Sequence, residues 1–98
     1  MKQSFICPCF NEENNVIAFA KAVLDAFPNT KDYELVFIND GSRDNTIGSL
    51  KKLKKESTQN IKIINFSRNF GKESAMYAGL QNCKCDYITI IDTDLQQG

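Results

Sequence analysis

Ile90-Ile91-Asp92-Thr93-Asp94-Leu95-Gln96 sets two carboxylates two residues apart directly after an apolar run. On an extended backbone such residues point to one side, so Asp92 and Asp94 share a face and Thr93 takes the other. Carboxylates held that close repel one another and raise each other's pKa unless a cation sits between them. Mg²⁺ or Mn²⁺ would relieve the conflict. Both are hard ions that take oxygen ligands and complete their shells with water and substrate phosphates, so the pair has the chemistry of half a metal-diphosphate clamp. Gln96 could add an amide oxygen. The competing reading is that the acids only end a strand and cap the next segment of chain.

Other residues have compatible chemistry. Asp40 also follows an apolar run, and its carboxylate can accept from the imino or amino group of a nucleobase; an ordinary Asp-Gly turn is the alternative. Phe10, two residues after Pro8, offers a ring on which a base can stack, and Glu12 can accept from base or ribose. The alternatives are a core ring and a first-turn helix acid favoured by the macrodipole. Arg68 and Lys72 bring positive charge to a Gly-containing segment, facing phosphate or only solvent. No GxGxxG follows the first strand and no GxxxxGK[ST] occurs, so neither dinucleotide nor P-loop binding is supported. With no histidine in the chain, a His-based triad is excluded. The four cysteines fall in two Cys-x-Cys pairs, Cys7/Cys9 and Cys83/Cys85. That spacing is tighter than the Cys-x-x-Cys knuckles of structural zinc sites, so reduced, mostly buried thiols are expected.

The elements that must position these residues alternate. "SFICPCF" is β-rich; a helix over 12–27, capped by Asn11, carries Val16, Ile17, Phe19, Ala20, Val23, Leu24 and Phe27 as one apolar stripe. "YELVFIND" is a strand with an apolar centre suited to burial on both faces. A second helix over 46–57, capped by Asp44 or Ser42, turns Ile47, Leu50 and Leu53 inward and the lysines of "KKLKK" to solvent. "IKIINFS" is a third strand, a third helix runs through Ala75, Met76, Ala78 and Leu80, and "DYITIID" is a fourth strand. The βαβαβαβ order predicts an α/β fold with a parallel, Rossmann-like sheet. Every polar loop that follows a strand then falls at one edge, where open parallel sheets bind ligands.

Ninety-eight residues suffice for one small domain, and twelve basic against twelve acidic side chains argue against a general polyanion binder, so no nucleic-acid partner is expected. No apolar run approaches the roughly 18 residues that span a bilayer, and the first residues lack a signal-peptide core. A cytoplasmic location is expected.

Taken together, "CPCFNEENN", "FINDGSRDNT", "INFSRNFGKESA" and "IIDTDLQ" resemble, in order and spacing, the N-terminal half of family 2 glycosyltransferases of the GT-A fold. The likeness is greatest to the dolichol-phosphate-mannose synthase and bactoprenol glucosyltransferase branch. It implies that 1–98 form a single partial domain, the nucleotide-sugar-binding half, with the acceptor half absent and the piece inactive alone. On this likeness Pro8, Phe10, Glu12, Ile38 and Asp40 line the nucleotide pocket with Asp92 and Thr93. Asp92, Asp94 and Gln96 hold Mg²⁺ or Mn²⁺, and Arg68 and Lys72 neighbour the phosphates. Phe10 stands where the family usually has Tyr, keeping the ring and losing the hydroxyl; Thr93 replaces a common Ala.

The implied reaction is inverting, single-displacement transfer from a UDP- or GDP-sugar to a polyprenyl phosphate or glycan acceptor, with no general base among these residues. Membrane association would come only through the missing C-terminal part, at the cytoplasmic face, and an exposed sheet edge would favour homo-oligomers. Two rivals stand against this: a phosphatase-like fold with an Asp nucleophile, and a non-enzymatic receiver-like or nucleotide-binding module. The phosphatase-like pair usually follows the first strand, whereas here the acids follow the fourth.

Overall fold

A computed structural model describes residues 3–83 and 85–93. Strands β1 (Gln3–Cys9), β2 (Tyr33–Asp40), β3 (Asn60–Phe66) and β4 (Tyr87–Ile90) alternate with helices α1 (Val16–Ala26), α2 (Thr46–Glu56) and α3 (Lys72–Gln81). The sheet runs β3-β2-β1-β4, with every adjacent pair parallel. The expected α/β class, alternating element order and parallel sheet are therefore what the chain adopts. Strand order reverses at β1: α1 leads from it toward β2, and α3 carries the chain from β3 back past β2 and β1 to β4. Open parallel sheets bind ligands in the crevice at such a reversal, beyond the strands' carboxyl ends.

Period-two alternation sorts the core into two layers. Phe5, Cys7 and Cys9 of β1, with Tyr33, Leu35 and Phe37 of β2, meet Val16, Phe19, Ala20 and Val23 of α1 and Leu50 and Leu53 of α2. On the opposite face Ile6, Val36 and Ile38 meet Ala75 of α3. All eight residues of β2 are buried, as its apolar centre predicts for a strand covered on both faces. Each large side chain fully removed from water contributes about 1.5–3 kcal/mol, so this layered packing is the main favourable term. The lysines Lys51, Lys52, Lys54 and Lys55 of α2 are exposed.

Several boundaries differ from the sequence reading. Helix α1 begins at Val16 rather than 12, because 12–15 form a separate turn in which Glu12 O accepts from Asn15 N and Val16 N. Asn11 does not cap it. That residue has φ +55°, and its side-chain oxygen accepts from Arg43 N on the next loop. Phe27 lies past the helix end, half exposed, with its ring 5.3 Å from Phe5 and 6.2 Å from Tyr33. Asp44 does serve the start of α2, where its Oδ1 accepts from Thr46 N, whereas Ser42 is spent on Asn39 and Asn11. Leu80 of α3 is exposed, since Ala75 and Gly79 make that helix's buried contact. Strand β4 is shorter than 86–92, and its residues are exposed.

The contact at Gly79 sets how near α3 lies to the sheet. A Cβ there would stand 2.6 Å from Ile6 Cγ2 and 3.0 Å from Ile38 Cδ1, atoms of β-branched side chains locked in the core. Although alanine favours a helix interior by up to about 1 kcal/mol over glycine, overpacking costs about 1–3 kcal/mol. Gly79→Ala is expected to lower the unfolding free energy in urea. An unchanged or raised midpoint would show that α3 can move away at no cost.

Candidate functional site

The carboxyl ends of β1, β2 and β4 open into a cleft of about 180 Å³. Pro8, Cys9, Phe10 and Glu12 approach it from the β1 side, Asp40 from β2, Lys72 from the first turn of α3, and Asp92 and Thr93 from beyond β4. Register explains the meeting. Pro8 pairs with Ile38 and Ile6 with Ile90, and Ile91 N donates to Ile6 O, so the ladder continues past β4 and alternation brings Pro8, Asp40 and Asp92 to the α3 side. Thr93 is buried and donates from Oγ1 to Pro8 O at 3.2 Å, while the Asp92 side chain is 59% exposed.

Of the residues singled out in the sequence, Pro8, Phe10, Glu12, Asp40, Lys72, Asp92 and Thr93 come together here. Two do not. Ile38 is fully buried in the core against α3, and Arg68 lays its guanidinium 4.7 Å from the centroid of the Phe70 ring. Asp94 and Gln96 lie outside the described residues.

Asp40 has a role that the sequence did not reveal. It is 4% exposed; its Oδ1 accepts from Phe70 N at 2.8 Å and its Oδ2 from Gly71 N at 3.1 Å. These amides enter α3, whose first N–H groups have no partner within the helix and carry the positive end of its dipole. Asn69 Nδ2 adds a bond to Asp40 O. The loops also press together: Gly41, at φ +65°, lies so close to the 68–69 backbone that a Cβ would come within 2.1 Å of Arg68 C. Only glycine fits there. Each Asp40 oxygen keeps acceptor capacity for a ligand, but the first task of the carboxylate is to hold this loop.

The β1 loop is fastened to the start of α2 in the same manner. Glu12 N donates to Thr46 Oγ1, Glu13 N to Asp44 Oδ2, Asn45 N to Glu13 Oε1 and Asn11 N to Ser42 Oγ. Asn39, buried, donates to Asn65 and accepts from Ser42. The only sequence signal for this network is the density of Asn, Asp, Ser and Thr in the two loops, which marks turns without naming partners. Phe10, held at the end of this frame, keeps 44% of its surface in solvent.

Among the described residues the cleft therefore sets the carboxylates Glu12, Asp40 and Asp92 against one ammonium, Lys72, whose Nζ lies 2.5 Å from Asp92 Oδ1. These are hard oxygen donors beside open space, the ligand type that divalent ions such as Mg²⁺ or Mn²⁺ take, but among the described residues no three of them come close enough together to grip an ion by themselves. Softer metals have little to bind. Burial drives the Cys9 thiol up to about 12, outweighing its contact with Thr93, and pushes Cys7 well above its ordinary value. Both remain protonated and weak as ligands or nucleophiles.

Residues 4–97 match the family model for glycosyl transferase family 2, and the chain belongs to that family. It is 45% identical over 98 residues to the prophage bactoprenol glucosyl transferase homolog of Escherichia coli K12, an alignment covering 98% of this chain and 31% of that protein. The chain spans about 30% of the length of the curated relatives it matches. The same fold occurs in Staphylococcus aureus TarS in complex with UDP, at TM-score 0.84 and 22% identity over 96% of this chain and 28% of that one. It occurs too in the mannosyltransferase PcManGT of Pyrobaculum calidifontis in complex with GDP-Man and Mn²⁺, at TM-score 0.86 and 17% identity over 95% and 27%.

Two outcomes are expected. Asp40→Asn turns one acceptor into an amide donor facing an N–H, so hydrogen exchange at the Phe70 and Gly71 amides, followed by NMR, should accelerate, with a stability loss of about 1–3 kcal/mol. Unchanged protection would disprove the tie. For the thiols, a folded pKa above the unfolded one gives stability that is complete below the ordinary thiol value and is lost as pH rises toward the folded one. Stability should therefore fall above about pH 8.5, and less steeply in Cys7→Ala/Cys9→Ala, as read by urea melts across pH.

Proposed function

We propose that these residues are the donor-binding half of a glycosyltransferase that moves a sugar from a UDP- or GDP-sugar to a polyprenyl phosphate. The observation that carries this reading is the convergence of three carboxylates, an exposed aromatic ring and one lysine on a single cleft where the strand order reverses. Phe10 stacks on the base, and Glu12 and the remaining acceptor capacity of Asp40 take its polar edge or the ribose. Asp92, with Asp94 and Gln96, supplies oxygen ligands for Mg²⁺ or Mn²⁺, and Lys72 approaches the phosphates. When bound, the ion offsets the negative charge that gathers on a leaving nucleoside diphosphate. Bound UDP in one protein of this fold, and GDP-Man with Mn²⁺ in another, support the donor class. The bactoprenol named for a relative supports the lipid-phosphate acceptor.

Transfer is direct, with inversion: an acceptor oxygen attacks the anomeric carbon as the nucleoside diphosphate departs. An acceptor phosphate is already anionic, so no strong base is needed at the nucleophile, whereas a hydroxyl of a glycan acceptor would require one. Residues 1–98 thus form a single partial domain that binds donor but does not turn over. Among the described residues no helix is long and apolar enough to cross a membrane. Membrane association, at the cytoplasmic face, belongs to other parts of the whole protein. The exposed Tyr87, Ile88 and Ile90 of edge strand β4 favour self-association when this segment stands alone.

Calorimetry of the full-length protein with UDP and with GDP, each with and without Mn²⁺, tests the reading. One nucleotide should bind more tightly with the metal, and Asp92→Asn or Asp94→Asn should abolish that gain. Retention of the metal-dependent gain in both variants would overturn the clamp.

A further inference from the structure

The ion pair between Lys72 and Asp92 has a place in the cleft that phosphate contact alone does not explain. Its ammonium lies 2.5 Å from the carboxylate, in a cleft with two further acids, Glu12 and Asp40. The backbone of Lys72 is fixed, because Asp40 holds the two preceding amides. Its side chain, 57% exposed, is a flexible four-carbon stem ending in a compact charge. We infer that Lys72 is a resident counter-cation: it holds Asp92 while the cleft has no donor, and it must release that carboxylate when the acid turns to a divalent ion. Two cations cannot crowd one carboxylate oxygen without repulsion. The released ammonium, anchored at the mouth of the cleft, then pairs with the diphosphate.

This inference rests on the metal-diphosphate reading and predicts effects of opposite sign from one substitution. Loss of Lys72 removes a competitor for Asp92 but also a partner for phosphate. In the full-length protein without nucleotide, Lys72→Gln should tighten Mn²⁺ binding, read by electron paramagnetic resonance of free Mn²⁺, by roughly two- to fivefold, the scale of an exposed ion pair. At saturating Mn²⁺ the same variant should bind the preferred nucleoside diphosphate about tenfold more weakly, the scale of a charge-assisted hydrogen bond. Arg43→Gln, which removes a positive charge from the neighbouring loop, should leave Mn²⁺ affinity unchanged, separating the contact from net charge.

If Mn²⁺ affinity in Lys72→Gln is unaltered, or both affinities shift in the same direction, the counter-cation role is wrong. Asp92→Asn tells the two levels apart. Retained Mn²⁺ binding in that variant overturns the clamp and this inference together; lost binding, with no effect of Lys72→Gln, overturns the inference alone.

Discussion

Two backbone N–H groups at the entry to α3, bound by the buried carboxylate of Asp40, fix the geometry on which the cleft depends. The bond joins residues thirty positions apart and satisfies donors that a helix cannot satisfy by itself. It sets where α3 starts and therefore where Lys72 stands. Lys72 in turn meets Asp92, so a charge at the end of β2 governs the surroundings of a charge beyond β4. Gly41, pressed against the 68–69 backbone, and Gly79, pressed against Ile6, let the loop and the helix lie close enough for this chain of contacts to close.

Behind the cleft, a core layered on both faces of β2 and β1 gives the loops a rigid base. The parallel arrangement has a direct chemical result: every strand delivers its carboxyl end to one edge, so side chains distant in sequence become neighbours without long loops. Reversal of strand order at β1 then parts the chain leaving β1 from the chain leaving β4, and the cleft lies between them. The mutual bonds of 11–13 and 42–46 stiffen one wall. Phe10 thus presents an exposed ring from a loop held in place by these bonds.

Charge within the cleft is set by position rather than by composition. The chain as a whole is neutral, yet among the described residues three acids face one lysine at this point. That excess of negative charge is complementary to a cation. The buried thiols beside the cleft stay protonated and leave the oxygen donors without competition.

The order of elements, the two-sided burial of β2, the outward lysines of α2 and the gathering of polar loops at one edge were legible in the amino-acid sequence, because each follows from local periodicity and from where apolar runs stop. So were the residue types of the cleft, from Phe10 and Glu12 to Asp92. What only the tertiary structure decided were partners. Asn11, a helix cap by sequence, holds the next loop; Asp40, a ligand or a turn residue by sequence, holds α3; Ile38 sinks into the core, and Arg68 turns to Phe70. Periodicity records which side of an element a residue occupies, but a hydrogen bond between loops depends on how two elements pack, and that is settled only when the layers close around the sheet.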